Sequence, residues 1–241
     1  MRIPMYRYPF EHIANFRDLG GAPTAGGMTR WGVFYRSALP TAGICEREIA
    51  TLHDTLNIKT VIDLRTAYEI ETSPDPLAND PHFTWIHHSL IGDIRFEEDL
   101  GINLSEPDTP TMFTFYCHLL NRCANVFCDL MDYLKEGAQR GGTLFHCSVG
   151  KDRTGLTAMF LESLCGVPDM DIISRYEISR TLTEHIRVND MTGSHYSNMI
   201  RLLKHLRDHF KSPEEYLINA GVSPQTINTL REALTASMPT G

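Results

Sequence analysis

Apolar positions along the chain fall into two periodicities. Short apolar runs bounded by turn residues occupy 33–36, 59–64, 83–90 and 143–145, which reads as buried strand. Residues 45–56 instead place Ile49, Leu52 and Leu56 on one helical face. Residues 111–136 read as mostly helical, ending near Gly137, and 140–142 turn into the next strand. A tight loop over 146–153 follows that strand. Beyond it Leu156, Met159, Phe160, Ser163 and Leu164 keep the i, i+3, i+4 spacing of a helix, which Gly166 and Pro168 end. After Pro168 the pattern is helical over 169–183, 194–211, 212–221 and 223–234. The last two segments open with Ser-Pro, an N-cap followed by a good first helical residue.

Polar and turn-forming positions fill the gaps. Residues 1–30 read as an extended, turn-rich lead with Gly20-Gly21 and Gly26-Gly27 as breaks, and 73–81 as a turn-forming loop. The acidic stretch 92–110, with two prolines, reads as a surface loop; this loop or the helices after Pro168 are expected to cover the site. Strands alternating with helices predict an α/β fold, a central sheet flanked by helices. No linker or repeat interrupts the pattern, so 1–241 is expected to form one domain with a helical C-terminal part from about residue 167.

The bulk numbers narrow the function classes. Twenty-two basic against 30 acidic residues give a formal net charge of −8, which disfavours a nucleic-acid binder working through a basic surface. No apolar run is long enough to span a membrane, and the first residues lack the apolar core of a signal peptide. The six cysteines (45, 117, 123, 128, 147 and 165) show no paired metal-ligand spacing, so no metal and no cofactor are expected. A reduced cytoplasmic setting suits a cysteine that must stay free.

That cysteine is Cys147, placed where a strand stops, with Arg153 where a helix begins. Backbone N–H groups of such a loop can converge on an anion, and the helix N-terminus adds unpaired donors and partial positive charge. Arg153 can grip two oxygens of a tetrahedral oxyanion at once. The same field lowers a thiol pKa, which makes Cys147 a nucleophile aimed at phosphorus. A lone buried cysteine is ordinarily a small core hydrophobe; His146 before it and Arg153-Thr154-Gly155 after it point to chemistry instead. A nucleotide-binding phosphate loop would need Gly five residues before Gly150 and Ser or Thr after Lys151. Phe145 and Asp152 stand there, so that reading fails.

The segment HCSVGKDRTG resembles the signature loop of the cysteine-dependent protein tyrosine phosphatases, in the Gly-Lys-Asp-Arg-Thr-Gly form of a bacterial and fungal branch. NFRDLGG at 15–21, YRSALP at 35–40 and VIDLR at 61–65 resemble other signatures of that branch, and the likeness covers roughly residues 10–180. It implies a phosphomonoester hydrolase acting through a cysteinyl-phosphate on phosphorylated protein or phosphoinositide, with inorganic phosphate also bound at the site. In that reading Cys147 is the nucleophile and Arg153 holds the phosphoryl oxygens. Ser148, Val149, Gly150, Lys151 and Asp152 give backbone N–H groups, Thr154 assists the thiolate, and His146 orients the loop or is simply a core histidine. Lys151 is a second cation beside the phosphate or a solvated surface lysine. The general acid is open, since the family's Trp-Pro-Asp tripeptide is absent. Asp152 ranks first by its loop position, with bracing of the loop as its alternative. Asp63 and Asp93 are the other candidates, and Asp63 has Arg65 or Arg17 as alternative partners. Two rival functions remain: a catalytically idle phosphate-binding module, and a thiolate-based arsenate reductase or sulfurtransferase.

Overall fold

The computed structural model describes residues 6–91, 112–183 and 195–235. Five strands form one sheet in the order β1 (Arg17–Asp18), β4 (Phe34–Ser37), β7 (Gly142–His146), β5 (Ile58–Asp63) and β6 (Thr84–His87). The last four run parallel; β1 lies antiparallel on β4. A two-stranded hairpin, β2 (Pro23–Thr24) with β3 (Gly27–Met28), stands apart, so the extended, turn-rich lead pairs into short strands that its sequence did not single out.

Parallel strands bury both faces, and period-2 alternation divides their side chains between two cores. Phe34, Ile62 and Phe145 face a large cluster; Tyr35, Val61 and Leu144 face a smaller one with Tyr8, Phe16, Leu52 and Leu56. Over the sheet lie α1 (Glu46–Ala50) with a π-helical turn at Thr51–Thr55, α2 (Ala67–Thr72), α3 (Met112–Arg122), α4 (Ala124–Arg140), α5 (Asp152–Leu164), α6 (Asp169–Leu182), α7 (Tyr196–Phe210), α8 (Pro213–Asn219) and α9 (Pro224–Thr235). The large cluster draws residues from Leu19 to Leu234, so the C-terminal helices share the core of the sheet. No helix among the described residues is long and apolar enough to cross a membrane.

Several expected boundaries move. The strand expected over 83–90 shortens to Thr84–His87, and the helix expected over 45–56 ends in the π-helical turn, after which Asn57 takes a left-handed φ of 54°. Residues 111–136 split into α3 and α4, and Gly137 does not stop α4. A Cβ there would lie 2.4 Å from Thr143 Oγ1, so the glycine lets the helix press against β7 rather than ending it. The single apolar face read for α5 is also corrected: Thr154 to Glu162 are all buried, as suits a helix enclosed by neighbours on every side. The acidic stretch 92–110 lies outside the described residues.

Register brings the strand ends together. Ser37 pairs with His146, His146 with Asp63, and Asp63 with His87. These are the carboxyl ends of the four parallel strands, in one row. The chain order along the sheet reverses around the central β7, and such a reversal opens a crevice at the carboxyl ends.

Candidate active site

The crevice is filled by the loop between β7 and α5. Every carbonyl of residues 147–151 has a partner. His146 Nδ1 lies 3.3 Å from Cys147 O, and Leu39 N–H donates to Ser148 O at 3.1 Å. Asn15 Nδ2 donates to Val149 O at 3.3 Å and to Gly150 O at 2.8 Å. Arg36 Nη2 donates to Gly150 O at 2.8 Å and to Lys151 O at 3.5 Å. There is no cis peptide bond among the described residues, and in a trans unit the C=O and the following N–H point in opposite directions. The N–H groups of 148–152 are therefore turned away from these partners, together, which is the arrangement an anion-binding nest requires. Gly150 makes the curl feasible: its φ is 70°, and a Cβ would lie 2.1 Å from Ser37 O.

Cys147 is buried, and its thiol stands below its ordinary pKa. Burial pushes it up, but the Arg153 charge and the hydroxyl and N–H of Thr154 outweigh that. Thr154 Oγ1 is buried with no hydrogen-bond partner among the described residues, and its hydroxyl stands close enough to the thiol to favour the thiolate. The sequence placed Cys147, Thr154 and the loop together, and the structure brings them together.

Arg153 meets a residue the sequence reading missed. Its Nη1 lies 2.5 Å from Glu69 Oε2 and its Nη2 2.7 Å from Glu69 Oε1, while Ser148 Oγ donates to Oε1 at 2.6 Å. Glu69 is held in turn by Thr66, whose N–H donates to Oε2 at 2.9 Å in a capping box that opens α2. Burial raises the Glu69 carboxyl, but the Arg153 fork and Ser148 carry it down to about 2. The Thr66-x-x-Glu69 spacing was the available signal for both the helix and its carboxylate.

The other carboxylates separate by environment. Asp152, at the start of α5, accepts the Tyr116 hydroxyl at 2.6 Å, and Tyr116 meets the Tyr176 hydroxyl at 2.7 Å. Burial raises both phenols, so they remain protonated donors. Lys151 is not a solvated surface lysine: its side chain is 3% exposed, with Nζ 3.8 Å from Asp152 Oδ2. Asp63 is wholly buried and clamped by Arg65, through Nε at 3.0 Å and Nη2 at 2.6 Å, so its carboxylate is already engaged by a guanidinium. Asp93 lies outside the described residues.

His146 ends β7 fully buried, with Nε2 3.0 Å from Asp75 Oδ2. Ligand-type atoms of Asp63, Asp75 and His146 fall within 4.8 Å of one another. Each is already engaged, Asp63 by Arg65 and Asp75 by His146 and Trp85, so the group is a closed hydrogen-bond network. Asn15 and Arg36 had been noted only within motifs. Arg36 is also drawn down to about 9 by burial and by neighbouring Arg17, which leaves a dense positive region beneath the loop.

A profile described as "Tyrosine phosphatase family" matches residues 8–236. A tyrosine-protein phosphatase of Nostoc commune is 31% identical over 200 residues, covering 74% of this chain and 67% of that protein. A Cupriavidus necator protein named for the same activity is 33% identical over 172 residues, covering 69% of this chain and 60% of its own length. Among solved structures, P. aeruginosa TpbA aligns over 78% of this chain and 86% of its own, at 15% identity and a TM-score of 0.41. The core catalytic domain of the PP-IP phosphatase SIW14 from S. cerevisiae aligns over 65% of this chain and 76% of its own, at 17% identity and a TM-score of 0.34.

Proposed function

The chain belongs to the tyrosine phosphatase family, and from that premise we propose that it hydrolyses phosphomonoesters through a cysteinyl-phosphate. One observation carries the reading: a buried thiol lowered by Arg153 and Thr154 sits at the base of a loop whose carbonyls are all gripped from behind. In the first step Cys147 Sγ attacks phosphorus; the S–P bond forms, the ester P–O bond breaks, and the leaving oxygen takes a proton. In the second, water attacks phosphorus and the thiolate leaves, with the Thr154 hydroxyl donating to it. The N–H groups of 148–152 and the Arg153 fork hold the three equatorial oxygens, where the charge is spread in the transition state. Glu69 takes one N–H from each terminal nitrogen of Arg153, and the guanidinium has five donors, so its Nε edge can still grip a phosphoryl group bidentately beside that carboxylate.

The substrates proposed are phosphorylated tyrosine, serine or threonine in proteins, or phosphoinositides, the last supported by the buried Lys151 cation beside the loop. Cys147→Ser is expected to abolish p-nitrophenyl phosphate turnover while still binding vanadate; turnover above trace level would remove the covalent mechanism. A panel of phosphopeptides and phosphoinositides then separates the substrate classes. Asp152 is proposed as the general acid. Asp152→Asn is expected to slow alkyl phosphates, with their poor leaving groups, by about 10²–10⁴-fold and aryl phosphates far less. Equal slowing of both would assign Asp152 to bracing the loop and move the search to Asp93.

A further inference from the structure

Behind the nucleophile lies a buried carboxylate without a part in the chemistry above. Asp75 belongs to the turn-rich segment between α2 and β6, and its side chain is wholly buried. Its Oδ1 accepts the Leu77 N–H at 2.9 Å, and its Oδ2 accepts the Trp85 indole N–H at 2.8 Å. His146 Nε2 approaches the same Oδ2 at 3.0 Å, and His146 Nδ1 approaches Cys147 O at 3.3 Å. Amide and indole N–H groups only donate, so Asp75 is an acceptor through both oxygens. A backbone carbonyl is likewise only an acceptor. Each imidazole nitrogen thus faces an acceptor, and both contacts are hydrogen bonds only if both nitrogens carry hydrogen. The ring is then an imidazolium, paired with Asp75 on one side and donating to the nucleophile's own peptide on the other.

Other charges also reach the ring. Asp63, from the end of β5, is paired with the Arg65 guanidinium; its charge still favours the protonated ring, while Arg65 opposes it. His87, opposite Asp63 on β6, turns its Nε2 to Arg65 O at 2.8 Å. Burial alone would strip His146 of its proton. The charges of Asp63 and Asp75 and the Asp75 hydrogen bond outweigh burial, so His146 stands above its ordinary pKa and Asp75 below its own.

We propose that Asp75 is a positioning residue for Cys147: it keeps His146 doubly protonated, so that a fixed positive charge and an N–H directed at the Cys147 carbonyl favour the thiolate and hold its peptide unit. This rests on Cys147 being the nucleophile. The pair is electrically neutral as a whole, but its positive end faces the cysteine.

Asp75→Asn separates charge from shape. An asparagine amide can donate to Nε2, which leaves the ring in place as the neutral Nδ1–H form, at the cost of the Trp85 contact. The pH midpoint for iodoacetamide alkylation of Cys147, read by mass spectrometry of its peptide, is expected to rise by roughly half a unit to one unit, less than a lone lost charge would give because the Asp75 and His146 charges vanish together. With aryl phosphate, kcat is expected to fall while KM holds. An unchanged alkylation midpoint would reduce Asp75 to a structural residue and overturn the proposal. The unsubstituted protein gives an independent reading if the variant does not fold: ¹⁵N NMR of the His146 ring at pH 7 is expected to show two protonated nitrogens, and one bare nitrogen would also overturn it. Neither readout depends on turnover. Failure of the reading it rests on would appear separately: no turnover by the unsubstituted protein would remove the phosphatase, and activity retained in Cys147→Ser would remove the cysteine nucleophile.

Discussion

At the scale of single residues, the site is governed by which partner each charged group meets. Arg153 and Glu69 form a forked pair at 2.5 and 2.7 Å, and Ser148 completes it. The Glu69 carboxyl, held down to about 2, links this pair to pH. Its folded pKa lies below that of an unfolded chain, about 4.3 for glutamate. Its contribution to stability is therefore present above about pH 4.3 and lost as the pH falls from there towards 2. Glu69→Gln is expected to be less stable than the unsubstituted protein at pH 7 and to lose stability less steeply across that acid window. Urea unfolding at a series of pH values measures both slopes; identical slopes would mean that the pair contributes nothing to folding.

At the scale of elements, the loop between β7 and α5 works because other elements press on its back. Asn15 precedes β1, Arg36 lies in β4, and Leu39 follows β4; together they take four of the five carbonyls from 147 to 151. At Gly150 the loop lies directly against β4, with the Ser37 carbonyl 2.1 Å from where a Cβ would stand. Backbone on that side cannot retreat as a flexible side chain can. Gly150→Ala is therefore expected to displace the loop, and because a shift near 1 Å can cost about 10²-fold in rate, kcat/KM should drop by that order while the fold survives. Kinetics with p-nitrophenyl phosphate beside a thermal melt test this. A variant of near-normal activity would show that the carbonyl grips do not set the loop.

At the scale of the whole molecule, the helices after Pro168 extend the core that supports the site. Phe160 of α5 stacks on Tyr216 of α8 at 5.4 Å and meets Phe127 of α4 edge-on at 5.3 Å. The Tyr216 hydroxyl donates to Leu120 O at 2.8 Å, which ties α8 to α3. Continuous packing of this kind leads us to expect one cooperative unit. Phe160→Ala should cost about 3–5 kcal/mol, through lost transfer energy and an unfilled cavity. Denaturant unfolding should remain a single transition, with activity and far-ultraviolet circular dichroism lost together. Two separated transitions would mean that the C-terminal helices fold apart from the sheet.

The sequence by itself determined where the proposed reacting centre lies, because that centre is local. The proposed nucleophile, anion loop, arginine and helix start lie within residues 146–154, and strand and helix periodicity on either side placed them between a strand's carboxyl end and a helix start. The α/β class and the Ser-Pro helix starts were legible for the same reason: each depends on neighbours a few positions apart. What surrounds the centre depends on contacts between distant segments. Gly150 meets Asn15 across 135 positions and Arg36 across 114, Arg153 meets Glu69 across 84, and His146 meets Asp75 across 71. No periodicity encodes such pairs. Asp75 looked like a turn residue between prolines, Lys151 like a cation beside the phosphate or on the surface, and Asp63 like a candidate acid or a partner of Arg65 or Arg17, until the register of β5, β6 and β7 brought Asp63 and His146 to the same row of strand ends. Burial then decided each one's part, since a charge withdrawn from water must be paired, and only the folded chain supplies the partner.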